Sequence, residues 1–290
     1  MHVPSSGGID LAVFELAGQQ LGNESRANDR VSLLFSHATG FHGRCYQPMA
    51  AALSDVAHSV AFDYRGHGDT PTPPRARSVA IDWQRYGDDA TAMATWLAEQ
   101  AGEPIVAFGH SMGGACLLMA AHRDPSLFRR IVAFEPIVVP PADVVSGELE
   151  SPMVAGARRR RNSFSSFEEA IANFASKPPL NAFTPEALDA YVRDGFALDA
   201  DGSVRLKCLP QTEADTFAAG GLHDTWARLP EIDTDVLVVS GRVQEMSPSM
   251  IAAQIAERLP NGRYLQRDDL DHFGPMTHPA ECAAIVRREL

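Results

Sequence analysis

The chain has 290 residues, 45% of them hydrophobic, and a formal net charge of −12. That length fits one large domain or a domain carrying an insertion. The charge opposes non-specific attraction to phosphate backbones and anionic membranes, and no apolar run approaches the roughly 20 residues needed to span a bilayer.

Met1 to Gly8 lacks a basic segment followed by an apolar stretch, so no secretory signal is expected and the cytoplasm is the default location. Cys45, Cys116, Cys208 and Cys282 are scattered without zinc or redox spacing, which implies no metal site and no disulfide framework.

In chain order, Ser5-Ser6-Gly7-Gly8 and Leu11–Leu16 predict a β-hairpin, followed by a polar loop from Gly18 to Arg30. Val31–Ser36 and Ser59–Asp63 read as strands buried in a parallel sheet, with a helix over Tyr46–Leu53 between them. Thr70-Pro71-Thr72-Pro73-Pro74 is a stiff loop. A helix over Tyr86–Glu99 places Ala90, Met93, Ala94 and Leu97 on one face. The strand Ile105–Phe108, a helix over Met112–His122 and the strand Arg130–Glu135 continue the alternation expected of a mainly parallel sheet covered on both faces.

From about Pro140 to Trp226 the residues suggest helices and loops without a convincing strand pattern. We read residues 140–226 as an inserted helical cap and residues 1–139 and 227–290 as the core. Phe164, Phe167, Phe174, Phe183, Tyr191, Phe196 and Phe217 are shared between the cap's own packing and an apolar pocket. The alternation resumes with the strand Asp235–Ser240, a helix over Pro248–Leu259, the strand Arg263–Gln266 and a last helix from Pro279.

The most informative residue is Ser111, in Gly109-His110-Ser111-Met112-Gly113 between a buried strand and a helix. A bend there lifts the hydroxyl clear of the sheet to a helix N-terminus, and its neighbours two positions away must be small. A serine nucleophile needs a base and a group to orient that base. His272 follows the last short strand, so its loop reaches the same sheet edge. His110 is expected to point away from the serine, His37 and His67 to pack loops, and His278 to be peripheral.

The carboxylate in this architecture usually comes from the loop after Asp235–Ser240, but that position holds Gln244, which is neutral. Glu135, at the tip of a strand beside that of Ser111, is the favoured acid, and Glu245 is the alternative. For the oxyanion, the Met112 N–H is one donor, and the loop His37-Ala38-Thr39-Gly40 supplies the other from Thr39, with Ala38 next. Asp63-Tyr64-Arg65-Gly66-His67-Gly68 is expected to buttress the active edge. Arg158-Arg159-Arg160-Arg161 is expected to be a solvated stretch of cap helix.

These four segments, His37-Ala38-Thr39-Gly40, Asp63 to Gly68, Gly109 to Gly114 and Asp271-His272-Phe273, resemble the α/β-hydrolase fold superfamily over essentially the full chain. The resemblance implies an α/β fold with a mostly parallel eight-stranded sheet, helices on both faces, a cap inserted after the sixth strand, and no cofactor. It also implies chemistry drawn from esterases, lactonases, carbon–carbon bond hydrolases, thioesterases or a few hormone receptors. A glutamate after the sixth strand is similar to the arrangement in zearalenone-type lactonases.

The expected function is therefore serine-dependent hydrolysis of a small or medium, largely apolar ester or lactone through an acyl-enzyme. The alternatives are carbon–carbon bond hydrolysis by the same triad and a slow-turnover ligand-binding protein. The expected partner is a small-molecule substrate, not nucleic acid or a membrane, and a homodimer is allowed.

Overall fold

The apolar runs of the sequence lie side by side as one sheet in the computed structural model, which describes residues 1–17, 30–72, 81–141, 151–245 and 247–290. The strands are β1 (His2–Ser5), β2 (Ile9–Glu15), β3 (Val31–Ser36), β4 (Ala57–Phe62), β5 (Ile105–His110), β6 (Phe128–Phe134), β7 (Ser163–Phe164), β8 (Phe196–Leu198), β9 (Val204–Leu206), β10 (Val236–Ser240) and β11 (Gly262–Gln266). Eight of them form a sheet in the order β1-β2-β4-β3-β5-β6-β10-β11, in which β2 is antiparallel to both neighbours and the remaining pairings are parallel.

The helices are α1 (Gln47–Ala51), α2 (Trp83–Ala101), α3 (Met112–Arg123), α4 (Pro152–Arg158), α5 (Phe167–Ala175), α6 (Pro185–Gly195), α7 (Pro210–Ala219), α8 (Thr225–Arg228), α9 (Ser249–Arg258), α10 (Gly274–Thr277) and α11 (Pro279–Arg287). β5 is buried along its whole length because strands flank it and helices cover both its faces. Alternation along β3 sends Leu34 into the core with α2, α3 and α9, and sends Leu33 and Phe35 into the core with α1 and α11. α2 starts earlier than its apolar stripe predicts because the Asp82 side chain accepts from Gln84 N–H at 2.9 Å. It ends at Gly102, whose φ of 70° terminates the helix.

The segment between β6 and β10 is not purely helical. β7, β9 and β8 form a small antiparallel sheet within it. Each strand has two or three residues, too few for a period of two to register, and the turn joining β8 to β9 is closed by Gly202 at φ 86° and by Asp201 accepting from Ser203. The expected polar loop from Gly18 to Arg30 lies outside the described residues except for Arg30, as do Pro73 and Pro74 of the expected stiff loop.

Parallel strands end on a common edge, so β3, β5, β6 and β10 deliver their following loops to one place. Among the described residues, no helix is long and apolar enough to cross a membrane.

Candidate active site

Ser111 stands between β5 and α3 with φ 56° and ψ −116°, a conformation a non-glycine residue holds only under constraint. The constraint is visible: Ser111 N–H donates to Phe134 O at 2.9 Å, and Ile137 N–H donates to Ser111 O at 3.2 Å. A Cβ at Gly113 would lie 2.1 Å from Ser36 O, and one at Gly109 would lie 2.7 Å from the Gly114 Cα. Both glycines are therefore required by backbone packed against backbone. Ser36 Oγ donates to Gly113 O at 3.1 Å, tying the end of β3 to this bend.

The loop after β11 brings His272 to the same edge. Its Nδ1–H donates to Glu135 Oε2 at 2.7 Å. That bond leaves the Nε2 lone pair unprotonated in the neutral ring. Glu135 is fully buried, and its second oxygen accepts from Gly241 N–H at 2.9 Å. It sits just past β6 at φ 44°, pinned by its own N–H donating to Val239 O at 2.8 Å. Glu245, the alternative acid read from sequence, is exposed, as is Gln244, and the His272 Nδ1 is held by Glu135.

Sequence reasoning did not assign a role to His110. It is fully buried, lines the same cavity as Ser111, and is tied to the loop carrying His272: Nε2–H donates to His272 O at 2.8 Å. Its Nδ1 then accepts from Tyr46 Oη at 2.9 Å, and Tyr46 Oη accepts from Ala38 N–H at 3.2 Å. Burial, followed by the nearby His272, holds the His110 pKa well below the usual imidazole value, so the ring is neutral and this proton arrangement is complete. The chain Ala38–Tyr46–His110–His272 joins the loop after β3 to the loop after β11. It engages the Ala38 amide; Ala38 and Thr39 both line the cavity. Met112 N–H is the first amide of α3 and has no carbonyl one turn back to receive it.

The Asp63 to Gly68 loop is packed under this edge. Asp63 accepts from Gly43 N–H and Asp69 N–H, both at 2.7 Å, and burial still raises its pKa to about 7. Arg65 pairs with buried Asp89 at 2.5 Å. His37 donates through Nδ1 to Ala38 O and accepts Tyr64 N–H at Nε2, and His67 is buried beside it. His278 is exposed.

The arginine run departs from expectation. α4 ends at Arg158, so the four side chains do not share a helix, and Arg160 turns inward. Its Nη1 donates to both Glu213 oxygens, at 2.8 and 2.9 Å, and its Nη2 donates to Tyr191 Oη. The aromatics divide as well: Phe164, Phe174, Tyr191 and Phe196 pack edge-on or tilted against one another, while Phe174 and Phe217 also line the cavity.

A cavity of about 500 Å³ lies between the sheet edge and this segment. Ser111, His272, Thr39 and His110 line one side, and α4, α5 and α7 supply the other. Among the described residues no hydrogen bond joins Ser111 Oγ to the His272 ring; the two meet as walls of this one cavity. A second hollow of about 440 Å³, lined by Trp83, His122, His223 and Arg228, contains none of these groups. The four cysteines are buried and unpaired, and no cluster of His, Cys, Asp or Glu among the described residues is disposed to hold a metal.

Residues 33–285 match the model of the alpha/beta hydrolase family. The chain is 25% identical over 243 residues to 2-(acetamidomethylene)succinate hydrolase of Mesorhizobium japonicum, covering 83% of this chain and 81% of that protein. It is also 25% identical over 294 residues to lipase LipV of Mycobacterium tuberculosis, covering 96% and 98%. The crystal structure of E-2-(acetamidomethylene)succinate hydrolase superposes with a TM-score of 0.72 at 21% identity, over 99% of this chain and 98% of that one, a likeness of fold.

Proposed function

From the premise that the chain belongs to the alpha/beta hydrolase family, we propose that it is a serine hydrolase cleaving a small or medium, largely apolar carboxylic ester or lactone through an acyl-enzyme. The observation that carries this reading is the 2.7 Å contact of His272 with buried Glu135, in a cavity shared with the strained Ser111. Similarity to a protein named a lipase supports an ester as substrate.

In this reading His272 Nε2 takes the proton of Ser111 Oγ as the oxygen bonds to the substrate carbonyl carbon. The Glu135 carboxylate, already bonded to Nδ1–H, stabilises the imidazolium that forms. The amides of Met112 and Thr39 receive the oxyanion. Collapse of the tetrahedral species breaks the bond to the leaving oxygen, which departs with the proton from Nε2. A water then loses a proton to the same nitrogen, attacks the acyl carbon, and the released Ser111 Oγ recovers that proton. Residues 140–226 act as the cap, supplying Phe174 and Phe217 as apolar wall.

Ser111→Ala should lower kcat/KM for p-nitrophenyl butyrate by roughly 10⁴-fold or more. Unchanged turnover by the purified variant would overturn the proposal. A second reading has the same residues cleave a carbon–carbon bond of a diketone-like substrate; similarity to 2-(acetamidomethylene)succinate hydrolase, whose named substrate is not an ester, favours a non-ester substrate but names no such bond. Turnover of vinylogous diketones without turnover of esters would select it.

A further inference from the structure

Three cations and one carboxylate line the cavity over Ser111, although acidic residues outnumber basic ones, 37 to 25, in the chain. The cations are Arg160, Arg161 and Lys177, and the carboxylate is Glu213. Glu213 is committed to Arg160 through both oxygens. Arg161 pairs with Glu169 at 2.7 Å, but that pair is about half exposed, with side chains 54% and 38% accessible, and Glu169 is not part of the cavity wall. Solvent screens such a pair and leaves it weak.

Lys177 forms no ion pair among the described residues; its Nζ donates to Asn173 Oδ1 at 2.7 Å. Asn173 also lines the cavity, and its amide N–H₂ is the complementary neutral donor. The lining is thus graded in burial: Ser111 and the apolar ring of Phe174 are buried, Phe217 is partly exposed, and Lys177 is exposed. A concave, partly desolvated site whose lining carries a net excess of one sign of charge concentrates ligands of the other sign.

We propose that this cavity takes an acyl substrate whose end remote from the scissile carbonyl carries an anionic oxygen group, carboxylate or phosphate, received by Lys177, Arg161 and Asn173. This rests on the serine-hydrolase reading above and narrows its substrate class: an apolar chain with a charged terminus.

The test uses the full chain and three p-nitrophenyl esters of matched length, ending in a methyl, a carboxylate or a phosphonate. At low salt, kcat/KM for at least one anionic ester should exceed that of the methyl ester by roughly fivefold. The preference should shrink as ionic strength rises. It should collapse towards one in Lys177→Gln/Arg161→Gln and survive in Arg258→Gln, on α9 outside the cavity wall. A gain for the carboxylate alone or for both anions separates the two sources of charge. Equal or poorer turnover of both anionic esters overturns the proposal while leaving the hydrolase reading intact. If no ester is cleaved, the hydrolase reading fails; calorimetric binding of the same three esters to Ser111→Ala then decides the anion preference by itself, and no preference overturns it.

Discussion

Glu135 and His272 are separated by 137 residues, yet the carboxylate of one holds the ring of the other at 2.7 Å. The contact depends on β6 lying between β5 and β10, and on Glu135 turning out of the strand at φ 44° while Gly241 N–H fixes its other oxygen. Glu135→Gln keeps the shape, removes the charge and lets an amide N–H₂ face Nδ1–H. It should lower kcat for p-nitrophenyl butyrate by about 10²–10⁴-fold. Glu245→Gln, at an exposed residue, should leave kcat within about twofold. The reverse ranking would move the acid to the loop after β10.

The chain from Ala38 N–H through Tyr46 and His110 to His272 O predicts a positioning role for two residues that do not touch the reacting atoms in the mechanism. Tyr46→Phe leaves the Ala38 amide and His110 Nδ1 without their buried partner, a cost of about 1–3 kcal/mol per group in stability. If the chain also positions the base, kcat should fall about tenfold with KM little changed. Labelling of Ser111 by a fluorophosphonate should slow in proportion. Loss of thermal stability with undiminished labelling would reduce the chain to a structural one.

Gly113→Ala should prevent folding. The added Cβ would stand 2.1 Å from Ser36 O, a backbone atom in a central strand that has nowhere to move. The expected cost exceeds about 3 kcal/mol, read as loss of a cooperative thermal transition. Gly156→Ala is the control, because a Cβ there has nothing within 4 Å.

Stability should fall as pH drops from about 6.5 to about 4. Burial holds His42, His67 and His223 at about 4 and holds His37 and His110 well below their ordinary value. In that window the unfolded chain binds protons that these native rings refuse, so unfolding takes up protons and acid favours it. Asp63 works the other way, since burial raises it to about 7 and the native carboxyl binds a proton the unfolded one lacks. Five histidines outweigh one aspartate, and the urea midpoint should decline across the window. His67→Gln should flatten the decline by about one proton's worth of slope; an unchanged slope would show that His67 titrates normally in the fold.

The bend at Ser111 was legible because its cause is local. Ile105–Phe108, Gly109, Gly113 and the helix from Met112 are contiguous, and the steric demand on the two glycines follows from the turn itself. His272 was legible from chain order, because the loop after the last parallel strand must open on the same edge as the others. Asp63 to Gly68 was likewise readable as a buttress, since a charged glycine-rich stretch after a buried strand has few other ways to satisfy its carboxylate.

What the sequence by itself determined was the layered sheet, the position of Ser111 on its edge and the loop carrying His272 to that edge, all consequences of short-range sterics and apolar periodicity. Tertiary structure alone decided which carboxylate meets His272, that Arg160 points inward to Glu213 instead of into solvent, and that His110 braces the loop carrying His272. The small sheet of β7, β8 and β9 belongs with these, its strands being too short to leave a pattern. Each of these outcomes depends on polar groups far apart in the chain finding one another once water is removed. Such pairings are fixed by the three-dimensional accounting of buried donors and acceptors, which no local window of residues contains.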